Sequence, residues 1–359
     1  MVLRDSGGHT GQLQTQQKGG KIMNESVYDV IWERLADMPV GKWEPASTVI
    51  DEKMYVLGGY ESFIKSGKKL HVFDPAAGTH GTWSRLQDLP SAITHVNLVP
   101  DATGFWFAGG MKDMCRASEI QDHIIAETWH FDLEQDRYTA GPLLPGTRAG
   151  GGLVRVGDNL HYISGLMGDR DTDSPDHWVL DLAEWRATGT GTWQNRAPLP
   201  LPRNQLSVAV LDSKIYAIAG QLNHDSQQLD QPRVDIYDSN SDSWMDGPAL
   251  PYGHSHSEGA TFVHNDRIWM VAGHTTPEGE KKGMCGNILT LGVGEDWELT
   301  CKAPRAMSSP AARVINDKLY IAGGWDGRMS EAKPEREYWA LRQMSSPEVW
   351  VADLPVREG

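Results

Sequence analysis

His254, His256 and Glu258 fall on alternate positions of one short segment. Imidazoles beside a carboxylate can relay protons or ligate a transition metal. His95, His224-Asp225 and His274 could join them if the fold gathers distant segments. Glu258 or Glu44 would then act as base, and His256 or His95 as acid. Arg148 and Arg203 carry planar guanidinium forks suited to carboxylates and other polar oxygens. Asn204 and Gln205 follow Arg203 directly and add amide donors and acceptors. Trp43, Tyr60 and Trp325 offer the aromatic surface that anchors binding partners. Thirteen histidines in 359 residues is only modestly above ordinary usage. A His-x-His pair in a loop has low specificity, so the sequence predicts no metal and no cofactor.

Other chemistry is missing. The sequence has no Gly-x-Ser-x-Gly elbow, phosphate-binding loop or His-Glu-x-x-His helix. The run Asp169-Arg-Asp-Thr-Asp173 lacks the Gly and distal Glu of a calcium loop, which predicts a solvated turn. The formal charge is −15 and the pI about 5.3, so phosphate backbones are repelled and nucleic acid is excluded as a partner. Three cysteines, Cys115, Cys285 and Cys301, form neither a disulfide framework nor a zinc cluster. No apolar run reaches a membrane-spanning length. Residues 1–26 are polar and Gln/Gly-rich without a hydrophobic signal segment, which predicts a disordered leader and a cytoplasmic protein.

The candidate residues lie far apart in sequence, so the elements that could gather them matter. The 38 glycines and 20 prolines are about 16% of the chain, below the roughly 25–30% that marks disorder. Some of these glycines are periodic. Short apolar stretches rich in β-branched and aromatic residues end in glycine at 54–59, 105–110, 161–165, 215–220, 268–273 and 319–324. Their closing glycines stand 51, 55, 55, 53 and 51 residues apart. An aromatic residue precedes each closing glycine by 27 residues, or by 29 in one case: Trp32, Trp83, Tyr138, Trp193, Trp244 and Trp297. Each stretch is too short for a helix and reads as a buried strand. A repeat then contains four strands: a, b ending in glycine, c, and d opening on the aromatic.

This pattern resembles the Kelch repeat over essentially all of 28–344, most clearly at Arg203, the 215–220 strand, the 237–244 run and Leu250-Pro251. The resemblance implies an all-β, six-bladed β-propeller of four-stranded antiparallel blades around a channel. The expected organisation is a leader at 1–26 and one propeller over 27–356. Its repeats fall near 40–90, 91–145, 146–200, 201–251, 252–304 and 305–344. Either 32–39 or 349–355 supplies the closing d strand, with the tighter register favouring the first. Trp83, Trp193, Trp244 and Trp297 are expected to be buried between blades.

In such a blade the b–c and d–a loops emerge on one face, and the b–c loops are long: 60–69, 111–127, 166–177, 221–233, 274–286 and 325–336. Long loops on a rigid scaffold commonly carry binding. Counting back from each glycine places Lys42, Ile93, Arg148, Arg203, His256 and Met307 at one d–a position. Glu44, His95, Gly150, Gln205, Glu258 and Ser309 fall two steps later. Arginine before strand a is common in Kelch repeats and often binds the neighbouring blade, so Arg148 and Arg203 have a structural reading beside the ligand reading. Asn204 and Gln205 share that choice.

The leading expectation is a binding module for a protein partner or a small polar or acidic ligand, acting through the long-loop face without chemistry. The alternative is an isomerase at the channel mouth, similar to the bacterial sialic-acid mutarotases, which are six-bladed Kelch propellers. That reading uses Glu258, His256 and His95 as acid–base groups, with Arg148 or Arg203 anchoring a polar or acidic sugar.

Overall fold

Each apolar, glycine-terminated stretch contains the second strand of an antiparallel sheet, because its β-branched and aromatic residues are buried from both sides. The computed structural model describes residues 24–25, 28–62, 65–112, 123–224, 228–276, 281–329 and 343–354. Six such sheets form the blades of a propeller, and one α-helix, Leu182–Thr188, is present among the described residues. Among the described residues no helix is long and apolar enough to cross a membrane.

In the first blade Ala46–Ile50, Lys53–Leu57, Leu70–Asp74 and Thr82–Arg85 pair in chain order. The fourth blade repeats this with Ser207–Leu211, Lys214–Ile218, Val234–Asp238 and Ser243–Asp246. The tight a–b turns use left-handed residues, such as Asp51-Glu52, Asp212-Ser213 and Asn316-Asp317. Blade five departs from the repeat. Its b and c strands, Arg267–Thr276 and Gly283–Gly292, run on into the expected b–c loop as one long hairpin.

The last blade uses both candidate closing segments. Val349–Asp353 pairs with Lys318–Ala322 as strand c, and Glu33–Arg34 adds outside it as strand d. The reading of 349–355 as a competing d strand is therefore corrected. The long excursion after Gly324 separates strand b from its c strand, so a c strand appears in sequence at d-like spacing. At the N-terminal end, Asn24–Glu25 pairs in parallel with Glu298–Leu299, within the segment expected to be leader. Residues 1–23 lie outside the described residues.

Six hydrophobic clusters separate the blades, one at each blade–blade interface. The d-strand tryptophans stitch these interfaces. Their indole N–H groups donate to a carbonyl of the preceding blade: Trp32 to Lys302, Trp83 to Ala36, Trp193 to Pro142, Trp244 to Ala197 and Trp297 to Pro248, at 2.8–3.1 Å. Trp193 and Trp297 are buried, whereas Trp83 and Trp244 are only half-buried. Those two cover the outer edge of an interface instead of filling it.

Candidate functional site

Six residues, one before each inner strand, form a collar across the channel at the loop face. They are Glu44, His95, Gly150, Gln205, His256 and Ser309. All six have left-handed backbone, with φ between 42° and 61°. A non-glycine residue in that region is strained and must be held by its surroundings. Here the collar's own backbone holds it. Glu44 N donates to Ser309 O (3.1 Å), Gly150 N to His95 O (3.1 Å), Gln205 N to Gly150 O (2.8 Å) and Ser309 N to His256 O (3.1 Å).

The sequence count placed Glu258, not His256, in this collar, and the structure corrects it by two residues. A single 3-10 turn, Glu258–Ala260, separates the collar from strand Thr261–His264 and lengthens this one connection. His256 thereby takes the collar position. The equivalents of Trp43 and Asn204, which bridge to Tyr60 and Gln221, is Ser255, which bridges to His274.

One step further back lies a position whose side chain ties the blade together in three of the six repeats. Lys42 Nζ donates to Gly58 O (2.7 Å), Arg203 Nε donates to Ala219 O (2.5 Å), and His254 Nε2 lies 2.9 Å from Ala272 O. Arg203 also bonds Leu201 O, Ala217 O and Asp235, with both ionic partners fully buried. Arg148 binds Thr147 O, Ser174 and Asp176 and stacks over Trp178, 4.8 Å from the ring centre. Asn204 is held by Asp173 (2.6 Å) and Gln221 (3.1 Å). The guanidinium of Arg203 is thus committed to its own blade and not to the neighbouring one, and Arg148 and Asn204 are buried in polar networks of their own.

The collar brings three expected groups together. His95 Nε2 lies 3.3 Å from Glu44 Oε2, and His256 Nε2 lies 3.8 Å from Glu44 Oε1. His256 Nδ1 is 2.7 Å from Ser255 Oγ, and its ring meets that of His274 at 4.3 Å. Burial raises the Glu44 carboxyl well above its ordinary range, and the neighbouring Glu258 adds to the shift. Burial also drives His256 well below its ordinary value, helped by His274 and Lys282. Glu258, just beneath, is pushed up to about 7 by burial. Burial therefore disfavours the charged forms of Glu44 and His256 in this floor. Between it and Glu258 lies about 10 Å³ of space, room for one water-sized sphere.

Around the mouth stand aromatic and charged groups. Trp43 packs against Tyr60 (5.1 Å between ring centres) and Trp325 (5.9 Å), with both tryptophans half-buried and Tyr60 buried. Lys282, from the long hairpin of blade five, donates to Gln221 (2.7 Å) and buried Asp230 (2.8 Å). Sequence reasoning missed this pair, because neither residue falls at a repeat position. His224 approaches His95, their rings 5.9 Å apart. Asp225 and Cys115 lie outside the described residues. No cluster of three or more metal-ligating side chains occurs among the described residues.

Six radial sheets with a glycine-terminated b strand and an inter-blade tryptophan define a Kelch-type propeller. Comparison with known proteins agrees. The Kelch motif family matches residues 44–90 and 202–251, which supports a Kelch-repeat propeller. It is similar to the Kelch-like protein terF of Aspergillus terreus, with 27% identity over 47% of this chain and 37% of that protein. A Kelch repeat-containing protein of Arabidopsis thaliana is 23% identical over 82% of this chain and 70% of its own length. The match with terF thus spans little more than a third of that relative. Among solved structures, that of YjhT shares the fold, with a TM-score of 0.66 at 14% identity over 82% of this chain and 93% of that one.

Proposed function

We propose that this propeller is a binding module that takes a protein partner on its long-loop face and seats a polar group of that partner against the collar. The observation that carries the reading is the aromatic wall of Trp43, Tyr60 and Trp325 standing beside the Glu44–His95–His256 floor. Half-buried aromatics next to desolvated polar groups are the composition of an interface hot spot. Kelch propellers commonly serve as protein-interaction modules, which supports the same reading. A photo-crosslinking residue at position 325 should capture a partner that the same residue at 212, in an a–b turn of the opposite face, does not. Capture from 212 alone would sink the proposal.

A second reading draws on Glu258, held near 7, close to neutral histidines: acid–base chemistry on a small polar molecule such as a sugar. It requires Glu258→Gln to abolish turnover while leaving the fold intact. A panel of acidic and neutral sugars followed by anomer-resolved NMR reads that directly, and no exchange above the solvent rate would exclude it.

A further inference from the structure

We propose that the central channel holds a separate binding site for a small oxyanion, a carboxylate or phosphate, centred on Arg313. Below the collar the inner strands enclose a cavity of about 420 Å³. Its polar lining includes Ser47, Asn97, Arg155, Thr261 and Arg313, with Glu258 at the collar end.

Arg313 lies on strand Ala311–Ile315 and reaches across to both neighbouring blades. Its Nη1 donates to Gly259 O (2.9 Å) and Ala312 O (2.6 Å), and its Nη2 to Ser47 O. All three acceptors are neutral carbonyls. No described carboxylate lies within ion-pair distance, whereas Arg148, Arg203, Arg267 and Arg305 each have one. Arg313 is half-buried and faces this cavity, and a cation with no described counter-charge between low-dielectric walls draws an anion to it. Burial alone draws the guanidinium down to about 9, with no acidic neighbour opposing it.

Geometry narrows the ligand. With three N–H groups spent on carbonyls, the Nε–H and one Nη2–H remain. Guanidinium N–H groups suit the oxygens of a carboxylate or phosphate. Arg155, from Gly152–Val156, adds a second cation to the same cavity. The chain as a whole is strongly acidic, so this is a local inversion of charge.

The test uses the purified protein titrated with inorganic phosphate and, separately, with acetate, at ionic strength held constant by sodium chloride. Calorimetry should show saturable heat for at least one of them, and the preferred anion tells phosphate from carboxylate recognition. Arg155→Gln should weaken binding several-fold, and Arg313→Gln should abolish it. If Arg313→Gln does not fold, Arg313→Lys keeps the charge but loses the fork, and should bind at least ten-fold more weakly. Absence of saturable heat with both anions, or undiminished binding in both Arg155→Gln and Arg313→Lys, would overturn the proposal. Neither outcome bears on the long-loop face, which lies on the other side of the collar.

Discussion

Replacing Arg203 by Met should destabilise the protein without altering what it binds. The guanidinium is fully buried and makes four hydrogen bonds: Nε to Ala219 O (2.5 Å), Nη1 to Leu201 O (2.9 Å) and Asp235 (2.8 Å), and Nη2 to Ala217 O (2.9 Å). Methionine retains much of the side-chain volume, so the loss is mainly polar. Asp235 is buried as well, and would keep only Arg233, whose Nε lies 2.8 Å away. Breaking a buried ion pair from one side costs about 3–5 kcal/mol. The retained Arg233 contact sets the expectation at the lower end, about 3 kcal/mol, against a total stability of roughly 5–15 kcal/mol. Urea denaturation at neutral pH reads this from the midpoint at unchanged slope. The double variant Arg203→Met, Asp235→Leu should regain part of the loss, because no buried carboxylate is then stranded. A single-variant loss below about 1 kcal/mol, the value of an exposed pair, would refute the reasoning. So would weakened partner binding at unchanged stability.

Trp297→Ala should cost about 3–5 kcal/mol, as for other buried large aromatics, while Trp83→Ala should cost clearly less because that ring is half-buried; equal losses in urea melts would contradict the interface geometry. Acid should destabilise the fold through buried neutral histidines. His161 and His274 sit at about 3, and His177 and His254 at about 4, all because of burial. Their folded values lie below the unfolded one, so the stability they allow is full above about 6.5 and is lost as pH falls towards 4. Each should remove about 2 kcal/mol between pH 7 and 5, and a urea midpoint that does not move over that interval would count against their burial. Glu258 works in the opposite direction: its folded value is raised to about 7 by burial, so stability present below about 4.5 is lost as pH rises to 7. Glu258→Gln should therefore be more stable than wild type at pH 8, by up to about 3 kcal/mol, and nearly unchanged at pH 4.5; a lower melting temperature at pH 8 would argue against a desolvated carboxyl.

The period of the closing glycines and aromatics was enough to read the propeller, because each blade repeats the same packing problem. The same count reached Glu44, His95 and Gln205 in the collar, since those connections share one length. It failed at His256, where the turn Glu258–Ala260 inserts two residues; the 29-residue interval from Trp244 to Gly273 carries that excess but does not say where in the repeat it falls. Val349–Asp353 was misread for a related reason. Its spacing from Gly324 imitates a d strand, and only the sheet pairing reveals a c strand. The fate of Arg203 could not be decided from its residue type, because the fork that suits a ligand carboxylate suits Asp235 equally well. Lys282 and Asp230 were invisible for a different reason: they meet through a loop and a hairpin, outside any period.

Hydrogen–deuterium exchange of the protein alone and with its captured partner tests the binding face most directly. The account predicts slowed exchange at 43–45, 59–61, 254–257 and 325–328, around the aromatic wall and the collar, with no change in the a–b turns at 51–53, 212–214 and 316–318. Protection confined to those turns would place the partner on the opposite face and contradict the account.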